Sequence, residues 1–209
     1  MVEFDNMTTL ILIRHGETTK NISDRLHRDK DPEPLNEKGR IQMEATVLAL
    51  QKLNPSIVYA SSEKRALESA TILSQRLNIL LENITGLQER NWGVFSDKPW
   101  PEVKAILDKM SLEERYNYIP PSGESWKEFE ERLVSAINKA LEGNKDKTII
   151  IVSHGGAIRA LMPYLLGVPR EESFKYDPAN ASITIFDCNE GEFTARSVDD
   201  TSHLNQSRN

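Results

Sequence analysis

The chain has 209 residues, the length of one domain or of one domain with a sizeable insertion. A formal net charge of −6 argues against a nucleic-acid-binding protein, which usually presents a basic patch, but a few arginines can still form a pocket for an anion. Cys188 is the only cysteine, which excludes an intramolecular disulfide and fits a reducing compartment. Neither a secretory signal nor an apolar run of membrane-spanning length is found, so we expect a cytoplasmic protein that does not associate with membranes.

The first half of the chain alternates predicted strands and helices, a pattern typical of a layered α/β fold. The apolar run at residues 9–13 predicts a buried strand, and residues 57–60 predict a second one. Asn36 is a good N-cap for a helix that runs to about Leu53, and a further helix is predicted from about residue 63 to 77. The first of these helices is predicted to bury an apolar face of three residues: Ile41, Ala45 and Leu48.

The second half of the chain contains the strongest strand signal, at residues 148–152, which are apolar throughout as in a central parallel strand. Ser111 and Ser125 each begin a capping-box pattern, which predicts that a helix starts there. The helix after Ser125 is predicted to bury four residues: Trp126, Phe129, Leu133 and Ile137. The remaining predictions are helices over about 100–110 and 157–166, edge-side strands at 182–186 and 193–198, and a frayed tail over 201–209.

Two histidines follow predicted strands and precede glycine. His15 comes directly after the first strand with Arg14 beside it, and an imidazole can attack phosphorus while a guanidinium binds phosphate oxygens bidentately. His154 follows the central strand and precedes two glycines, whose backbone N–H groups can face an anion near a helix N-terminus. Either histidine is also compatible with an ordinary surface loop, so several features must converge before they are assigned to a site.

Three further polar residues fit the same chemistry. Arg65 lies in the first turn of a predicted helix, where a cation opposes the helix dipole and a bound anion would offset that cost. Asn21 could donate its amide to a phosphate oxygen, and Glu89 could act as a proton donor. Taken alone, Arg65 is equally compatible with a solvated side chain, Asn21 is a weak signal, and Glu89 is more often simply solvated.

Six short motifs occur along the chain in a characteristic order. They are Arg14-His-Gly-Glu-Thr-x-x-Asn21, Leu35-Asn-Glu-Lys-Gly39 with Gln42, Ser61-Ser-x-x-Arg65-Ala, Leu87-x-Glu89 with Gly93, Gly123-Glu-Ser125, and Ser153-His-Gly-Gly156. This set resembles the histidine phosphatase superfamily, also called the phosphoglycerate mutase-like family. The resemblance extends from about Leu10 to about Phe186 and therefore covers nearly the whole chain.

The resemblance implies a phosphomonoesterase that hydrolyses a small phosphorylated metabolite through a phosphohistidine intermediate on His15. His154 would stabilise the transition state, and Glu89 would protonate the leaving oxygen and then activate water. The resemblance assigns phosphate binding to four residues: Arg14, Asn21, Arg65 and Gly155. No metal and no other cofactor is implied, the expected partner is the phosphorylated substrate rather than nucleic acid or a membrane, and a homodimer is left open.

The fold implied by the resemblance is a three-layer α/β/α sandwich with a mostly parallel central sheet. Residues 1–209 would form one domain, in which residues 90–124 lie over the site as a lid. The aromatic residues of this segment either pack in the core of the lid, which is favoured, or line the pocket: Trp92, Phe95 and Trp100.

Some positions depart from the family pattern or carry no chemistry. Asp97 stands where many phosphatase members have glycine, which could change the local turn and the pocket wall. His27 and His203 match no family position and are expected to be solvated. Matching residues that we assign structural roles are Glu17, Leu35, Gly39, Ser61 and Ser125.

A cofactor-dependent phosphoglycerate mutase is the main alternative, because Glu89-Arg90 after Leu87 also resembles the mutase version of that motif. Mutases carry a longer lid with adjacent arginines, whereas residues 90–124 contain no Arg-Arg pair, so hydrolysis is favoured. The second alternative is a non-catalytic phospholigand-binding domain, which is disfavoured because the presumed chemical groups are all present.

Overall fold

A six-stranded mixed sheet forms the centre of the computed structural model, which describes residues 7–208. The strands are β1 (Thr8–Arg14), β2 (Ile57–Ala60), β3 (Leu80–Asn83), β4 (Thr148–Ser153), β5 (Ile183–Asn189) and β6 (Glu192–Asp200). They lie in the order β3-β2-β4-β1-β5-β6. The first four are mutually parallel where they pair, and β5 and β6 are added antiparallel at one side. The predicted mostly parallel α/β sheet is therefore confirmed.

Helices connect the strands and cover both faces of the sheet. Within the described residues the α-helices are α1 (Thr19–Ile22), α2 (Glu37–Leu50), α3 (Lys64–Leu77), α4 (Trp100–Leu107), α5 (Leu112–Asn117), α6 (Trp126–Glu142) and α7 (Gly155–Leu166). Short 3-10 segments occur at Gln51–Leu53, Gly93–Phe95, Arg170–Lys175 and Ser202–Arg208. No helix among the described residues combines the length and the apolar character needed to cross a bilayer.

Strand β1 separates two hydrophobic cores. Leu10 and Leu12 pack on one face with side chains of α6 and α7, whereas Ile11 and Ile13 pack on the other face with side chains of α2 and α3. Successive side chains of a strand point to opposite faces, so a strand that is apolar throughout must be covered on both sides. The result is the predicted three-layer sandwich, in which β1 and β4 are central.

The predicted buried face of α2 is partly wrong. Ala45 is buried as expected, but Ile41 is 55% exposed and Leu48 is 68% exposed. The helix instead buries Met43, Val47 and Leu50. Both apolar stripes have the same i, i+4, i+7 spacing, so the amphipathic pattern alone does not distinguish them.

Local capping signals were read correctly from the sequence. The Asn36 side chain accepts a hydrogen bond from the Gly39 backbone N–H at 2.7 Å and begins α2. Ser111 and Ser125 both form the predicted capping boxes, at the starts of α5 and α6. These signals succeed because a cap depends on residues only three positions apart.

The C-terminal segment differs from the prediction. Residues 202–208 form a 3-10 helix against α2, and residue 209 lies outside the described residues. His203, which was expected to be solvated, is buried, with its Nε2 atom 3.2 Å from Thr46 Oγ1. Strand β3 was not predicted, because it is a four-residue edge strand whose side chains are mostly exposed.

The segment that was predicted to form the lid has a small hydrophobic core of its own. Trp92 and Phe95 are buried there with Val103 and Leu107, and Trp100 packs against them. Backbone hydrogen bonds join this segment to residues 24–26, including a 2.7 Å bond from the Trp100 N–H to the Asp24 carbonyl. The assignment of residues 90–124 as a lid or cap over the site stays a prediction.

Asp97 retains the turn that glycine would favour. Its φ angle is +63°, in the left-handed region, which Asp tolerates better than most residues. The Asp97 carboxylate pairs with Lys20, so it stabilises the contact between this segment and α1. Asp97 is not among the residues that line the cleft described below.

Candidate active site

The candidate site lies where three parallel strands end. His15 follows β1 and His154 follows β4, and their ring centroids are 5.3 Å apart. The His15 backbone N–H donates to the Ser153 carbonyl at 2.9 Å, which continues the β1–β4 pairing by one residue. Arg65 reaches the same place from the start of α3, just after β2. Ligand sites in open α/β sheets are expected at such carboxyl ends.

His15 is held as a neutral imidazole whose electron pair on Nε2 faces Arg65. Its Nδ1 atom donates to the Gly16 carbonyl at 2.8 Å, and its Nε2 atom accepts from Arg65 Nε at 3.2 Å. Burial, followed by the positive charge of Arg65, lowers the pKa of His15 well below 6.5. The ring is therefore neutral near pH 7, with its one proton on Nδ1, and Nε2 is the nitrogen that can act as a nucleophile.

Two arginines beside His15 retain buried N–H groups without a partner among the described residues. Arg14 donates from Nη1 to the Pro178 carbonyl at 2.5 Å, and Arg65 donates from Nη2 to Glu63 at 3.1 Å. Arg14 Nε and Arg65 Nη1 are buried and have no hydrogen-bond partner among the described residues. A buried cationic N–H without an acceptor is costly, so this pair of groups is suited to an anion.

Gly155 allows the Arg14 guanidinium to lie against the N-terminus of α7. A Cβ atom on Gly155 would come within 3.1–3.2 Å of that guanidinium. The first turn of α7 carries the positive end of the helix dipole. Arg14 and the N-terminus of α7 therefore both make the electrostatic potential beside Gly155 more positive.

Glu63 is a functional residue that the sequence analysis did not assign. Its Oε2 atom accepts hydrogen bonds from Arg65 at 3.1 Å and from the Glu89 backbone N–H at 3.0 Å, and lies 2.8 Å from His154 Nε2. Burial alone would raise the pKa of Glu63, but its interactions with His154, with the positively charged Arg65 and with the Glu89 N–H outweigh burial and lower the pKa far below its ordinary value. Glu63 therefore orients three parts of the site at once.

His154 is fully buried and oriented through its Nε2 atom. The Ser61 hydroxyl also lies 2.8 Å from Nε2. Ser61 therefore contacts His154 in addition to its expected structural role in the loop after β2. Burial lowers the pKa of His154, and the nearby Glu63 carboxylate opposes that effect. The His154 Nδ1 atom has no partner among the described residues.

Glu89 is fixed by two backbone N–H groups. Its carboxylate accepts from the Arg90 N–H at 2.7 Å and from the Gly156 N–H at 2.9 Å. A Cβ atom on Gly156 would lie 2.3 Å from the Glu89 carboxylate, so only glycine permits this contact. Glu89 lines the same cleft as His15.

Asn21 presents its amide nitrogen to the cleft. Its Oδ1 atom accepts from the Thr18 backbone, the Thr18 hydroxyl and Asn180 Nδ2, at 3.0–3.1 Å. Those bonds fix the amide and leave Nδ2 as its donor toward a ligand. The structure thus brings together all seven residues predicted for the site: Arg14, His15, Asn21, Arg65, Glu89, His154 and Gly155.

His27 does not fit the expectation of a solvated histidine. It is buried, and its ring centroid lies 6.1 Å from that of His15. Burial and the charge of Arg65 lower its pKa to about 3. The loop that carries His27 folds back against the cleft through the hydrogen bonds with residues 97–100, which local sequence patterns do not indicate.

The cleft continues outward from His15 over a volume of about 280 Å³. Beyond the predicted site residues, its lining includes a group here called the outer part of the cleft: Trp92, Trp100, Arg115, Trp126, Arg159 and Phe174. Trp92 and Trp100 therefore belong both to the hydrophobic core of residues 90–124 and to the wall of the cleft. In this outer part, Arg159 Nε and Trp126 Nε1 are buried donors without a hydrogen-bond partner among the described residues.

A mostly parallel sheet with a buried histidine beside two arginines is typical of α/β proteins that act on phosphate groups. The chain belongs to the histidine phosphatase superfamily (branch 1), whose family model matches residues 10–201. The resemblance seen in the sequence motifs is thereby confirmed.

Relatives and solved structures agree with that family. A Bacillus subtilis protein named uncharacterized phosphatase PhoE is 28% identical over 203 residues, which cover 95% of this chain and 97% of that protein. A metal-independent phosphoserine phosphatase of Arabidopsis thaliana is also 28% identical, over 95% of this chain and 84% of its own. The crystal structure of an Entamoeba histolytica phosphoserine phosphatase in complex with 3-phosphoglyceric acid superimposes with a TM-score of 0.83 at 27% identity, covering 94% of this chain and 99% of that chain.

The buried neutral histidines predict how stability depends on pH. The pKa values of His15, His27 and His154 lie below the ordinary 6.5, so the unfolded chain takes up protons below about pH 6.5 that the native state does not. We expect the free energy of unfolding, measured by urea titration, to fall as the pH is lowered below 6.5, by up to about 1.4 kcal/mol per pH unit for each histidine. Glu63, whose pKa is lowered in the native state, also reduces the free energy of unfolding, but only as the pH falls below the ordinary glutamate pKa of 4.5.

His15→Gln serves as the matched variant, because it removes one titrating ring and keeps a polar side chain. Its unfolding free energy should depend less steeply on pH between about 5 and 6.5. A wild-type free energy that stays constant over that interval would contradict the assignment of these rings as neutral.

Proposed function

We propose that the protein hydrolyses a small phosphomonoester through a phosphohistidine on His15. The observation that supports this most strongly is the neutral His15 Nε2 atom flanked by unpaired buried N–H groups of Arg14 and Arg65. A nucleophile and preorganised cations for the equatorial oxygens are the principal requirements of phosphoryl transfer.

In the first step, His15 Nε2 forms a bond to phosphorus while the bond between phosphorus and the ester oxygen breaks. Arg14, Arg65, the Asn21 amide and the Gly155 N–H hold the phosphoryl oxygens. The protonated carboxyl of Glu89 gives its proton to the leaving oxygen, so the alcohol departs neutral. Binding of the dianion favours a proton on His154 Nδ1, since the ring then lies between Glu63 and the phosphoryl group.

In the second step, water attacks the phosphohistidine. The Glu89 carboxylate accepts a proton from that water, the bond between nitrogen and phosphorus breaks, and inorganic phosphate and neutral His15 are restored. Glu89 supplies each proton transfer, and the named side chains with the Gly155 N–H supply each contact to the phosphoryl oxygens. The name of the Arabidopsis relative, a metal-independent phosphoserine phosphatase, is in line with this scheme.

The outer cleft favours a substrate that carries a second anionic group. Arg159 and Trp126 offer buried unpaired N–H groups there, and Arg115 adds a further positive charge. One relative is named as a phosphoserine phosphatase, and one solved structure contains 3-phosphoglyceric acid. Both of these compounds carry a phosphate and a carboxylate. We therefore propose a small phosphorylated carboxylic acid as the substrate class.

Replacement of the nucleophile tests the central step. His15→Ala should reduce turnover of phosphoserine and p-nitrophenyl phosphate by about 10³-fold or more, because no other group can form the intermediate. Brief incubation of the wild type with labelled substrate followed by quenching should trap an acid-labile, base-stable phosphoenzyme that His15→Ala lacks. The matched control is His203→Gln, which alters a buried histidine outside the cleft.

The same assay separates the alternatives. Release of free phosphate supports the hydrolase, whereas interconversion of phosphoglycerates without phosphate release would contradict it in favour of a mutase. Tight binding of phosphorylated acids by folded protein without either reaction would contradict both and favour a binding domain.

Glu89→Gln tests the proton transfer. We expect kcat on phosphoserine to fall by about 10²-fold or more, since an alkoxide leaves poorly without a proton, while first-step phosphorylation by p-nitrophenyl phosphate falls far less. Burst kinetics with both substrates measure the first step directly. Equal losses of the phosphorylation rate with the two substrates would show that Glu89 does not protonate the leaving group.

Arg159→Gln tests the second anion site. Loss of a charge-assisted hydrogen bond of about 1.5–3 kcal/mol should lower kcat/KM for phosphoserine by about tenfold or more. Phosphoethanolamine, which lacks the carboxylate, should be affected much less. Arg76→Gln, which changes an arginine exposed on α3, is the control. A similar loss for both substrates would assign Arg159 to general phosphate attraction rather than to carboxylate recognition.

A further inference from the structure

Three ligand atoms of the loop after α1 converge beside the cleft. His27 Nδ1 lies 3.5 Å from Asp31 Oδ2 and 3.6 Å from Glu33 Oε2, and the three atoms lie within 4.8 Å of one another. The three side chains are 7%, 2% and 16% exposed, so the cluster is largely shielded from solvent. None of the three residues belongs to the set assigned to phosphoryl transfer.

The hydrogen bonds of His27 direct an electron pair toward the two carboxylates. Thr18 Oγ1 lies 3.3 Å from His27 Nε2, so the tautomer that a metal ion on Nδ1 requires, with its proton on Nε2, donates to that hydroxyl. Nε2 then carries the only proton of the neutral ring, and Nδ1 is unprotonated. His27 Nδ1 and Glu33 Oε2 are both buried without a hydrogen-bond partner among the described residues. Acceptors thus face each other, an arrangement that a cation between them would stabilise.

The two distances from His27 Nδ1 to the carboxylates fit a tetrahedral ion better than a hydrogen bond. Distances of 3.5 and 3.6 Å are too long for hydrogen bonds. Two ligands that each lie about 2.1 Å from a tetrahedral Zn²⁺ are about 3.4 Å apart. One imidazole and two carboxylates are also a ligand set that zinc accepts, with a fourth position left for water or a substrate atom.

We propose that His27, Asp31 and Glu33 form a binding site for a divalent transition-metal ion of the Zn²⁺ type. The site is separate from the phosphohistidine chemistry, since Arg14, His15, Arg65 and His154 supply no ligand to it. Its position is nevertheless close, because the His27 ring lines the same cleft as His15. An ion here would add positive charge at the cleft wall.

The ammonium group of Lys20 competes with the proposed ion for the Asp31 carboxylate. Its ammonium pairs with Asp31 and with Asp97, and Asp31 Oδ2 is also the proposed metal ligand. A bound ion would displace the ammonium from Asp31 and leave it paired with Asp97 alone. Removal of the Lys20 charge should therefore strengthen metal binding, which a nonspecific surface site would not show.

Metal titration of the full-length protein tests the proposal. Protein treated with EDTA and then freed of chelator is titrated with ZnCl₂ by calorimetry and with CoCl₂ by visible absorption. We expect saturation at one ion per chain, and intense Co²⁺ bands typical of tetrahedral coordination. His27→Gln and Glu33→Gln should each weaken Zn²⁺ binding at least tenfold, whereas Lys20→Met should tighten it.

The control is Glu44→Gln, which changes an exposed carboxylate of α2 and should leave binding unchanged. Circular dichroism melts verify that each variant is folded, and Glu33→Gln keeps the test decisive if His27→Gln is not. Failure of the wild type to bind Zn²⁺ in a saturable manner would overturn the proposal. Equal affinity of wild type, His27→Gln and Glu33→Gln would do so as well, by placing the ion elsewhere. Neither result would affect the phosphatase proposal, which uses none of these ligands.

Discussion

The parallel hydrogen bonding of β1 with β4 is the constraint on which the site depends. It pairs Arg14 with Ser153, so His15 and His154 leave the sheet side by side. Both strands are covered by helices on each face, and this buried pairing cannot shift by one residue without moving apolar side chains to the wrong core. The positions of the two imidazoles are therefore as well defined as the hydrophobic core itself.

A single buried carboxylate then organises the charges around that pair. Glu63 binds Arg65, His154 and the backbone of Glu89, and so joins the second strand edge to the central one. A buried charge is tolerated only when it is paired and hydrogen-bonded, and Glu63 meets both conditions. Burial and the positive charge of the two arginines keep the His15 ring neutral, and the unpaired N–H groups of those arginines are suited to a phosphoryl dianion.

Much of the fold could be predicted because its signals are local or strongly periodic. The apolar strands at residues 9–13 and 148–152 and the caps at Asn36 and Ser125 depend on neighbours along the chain. The buried face of α2 could not be predicted, because two apolar stripes with equal spacing compete and only contact with the sheet selects Met43 over Ile41. His203 was misjudged for the same reason, since its burial depends on the distant α2.

By itself, the sequence determined which chemical groups are available and which family motif contains them. It identified His15, Arg65, Glu89 and His154, because their spacing relative to strands and glycines is a property of the chain alone. The tertiary structure decided their protonation and orientation, through Glu63 and the burial of both rings. It also decided that His27, Asp31 and Glu33 converge beside the cleft. Burial and electrostatic potential arise from residues far apart in sequence, so neither can be read from local pattern.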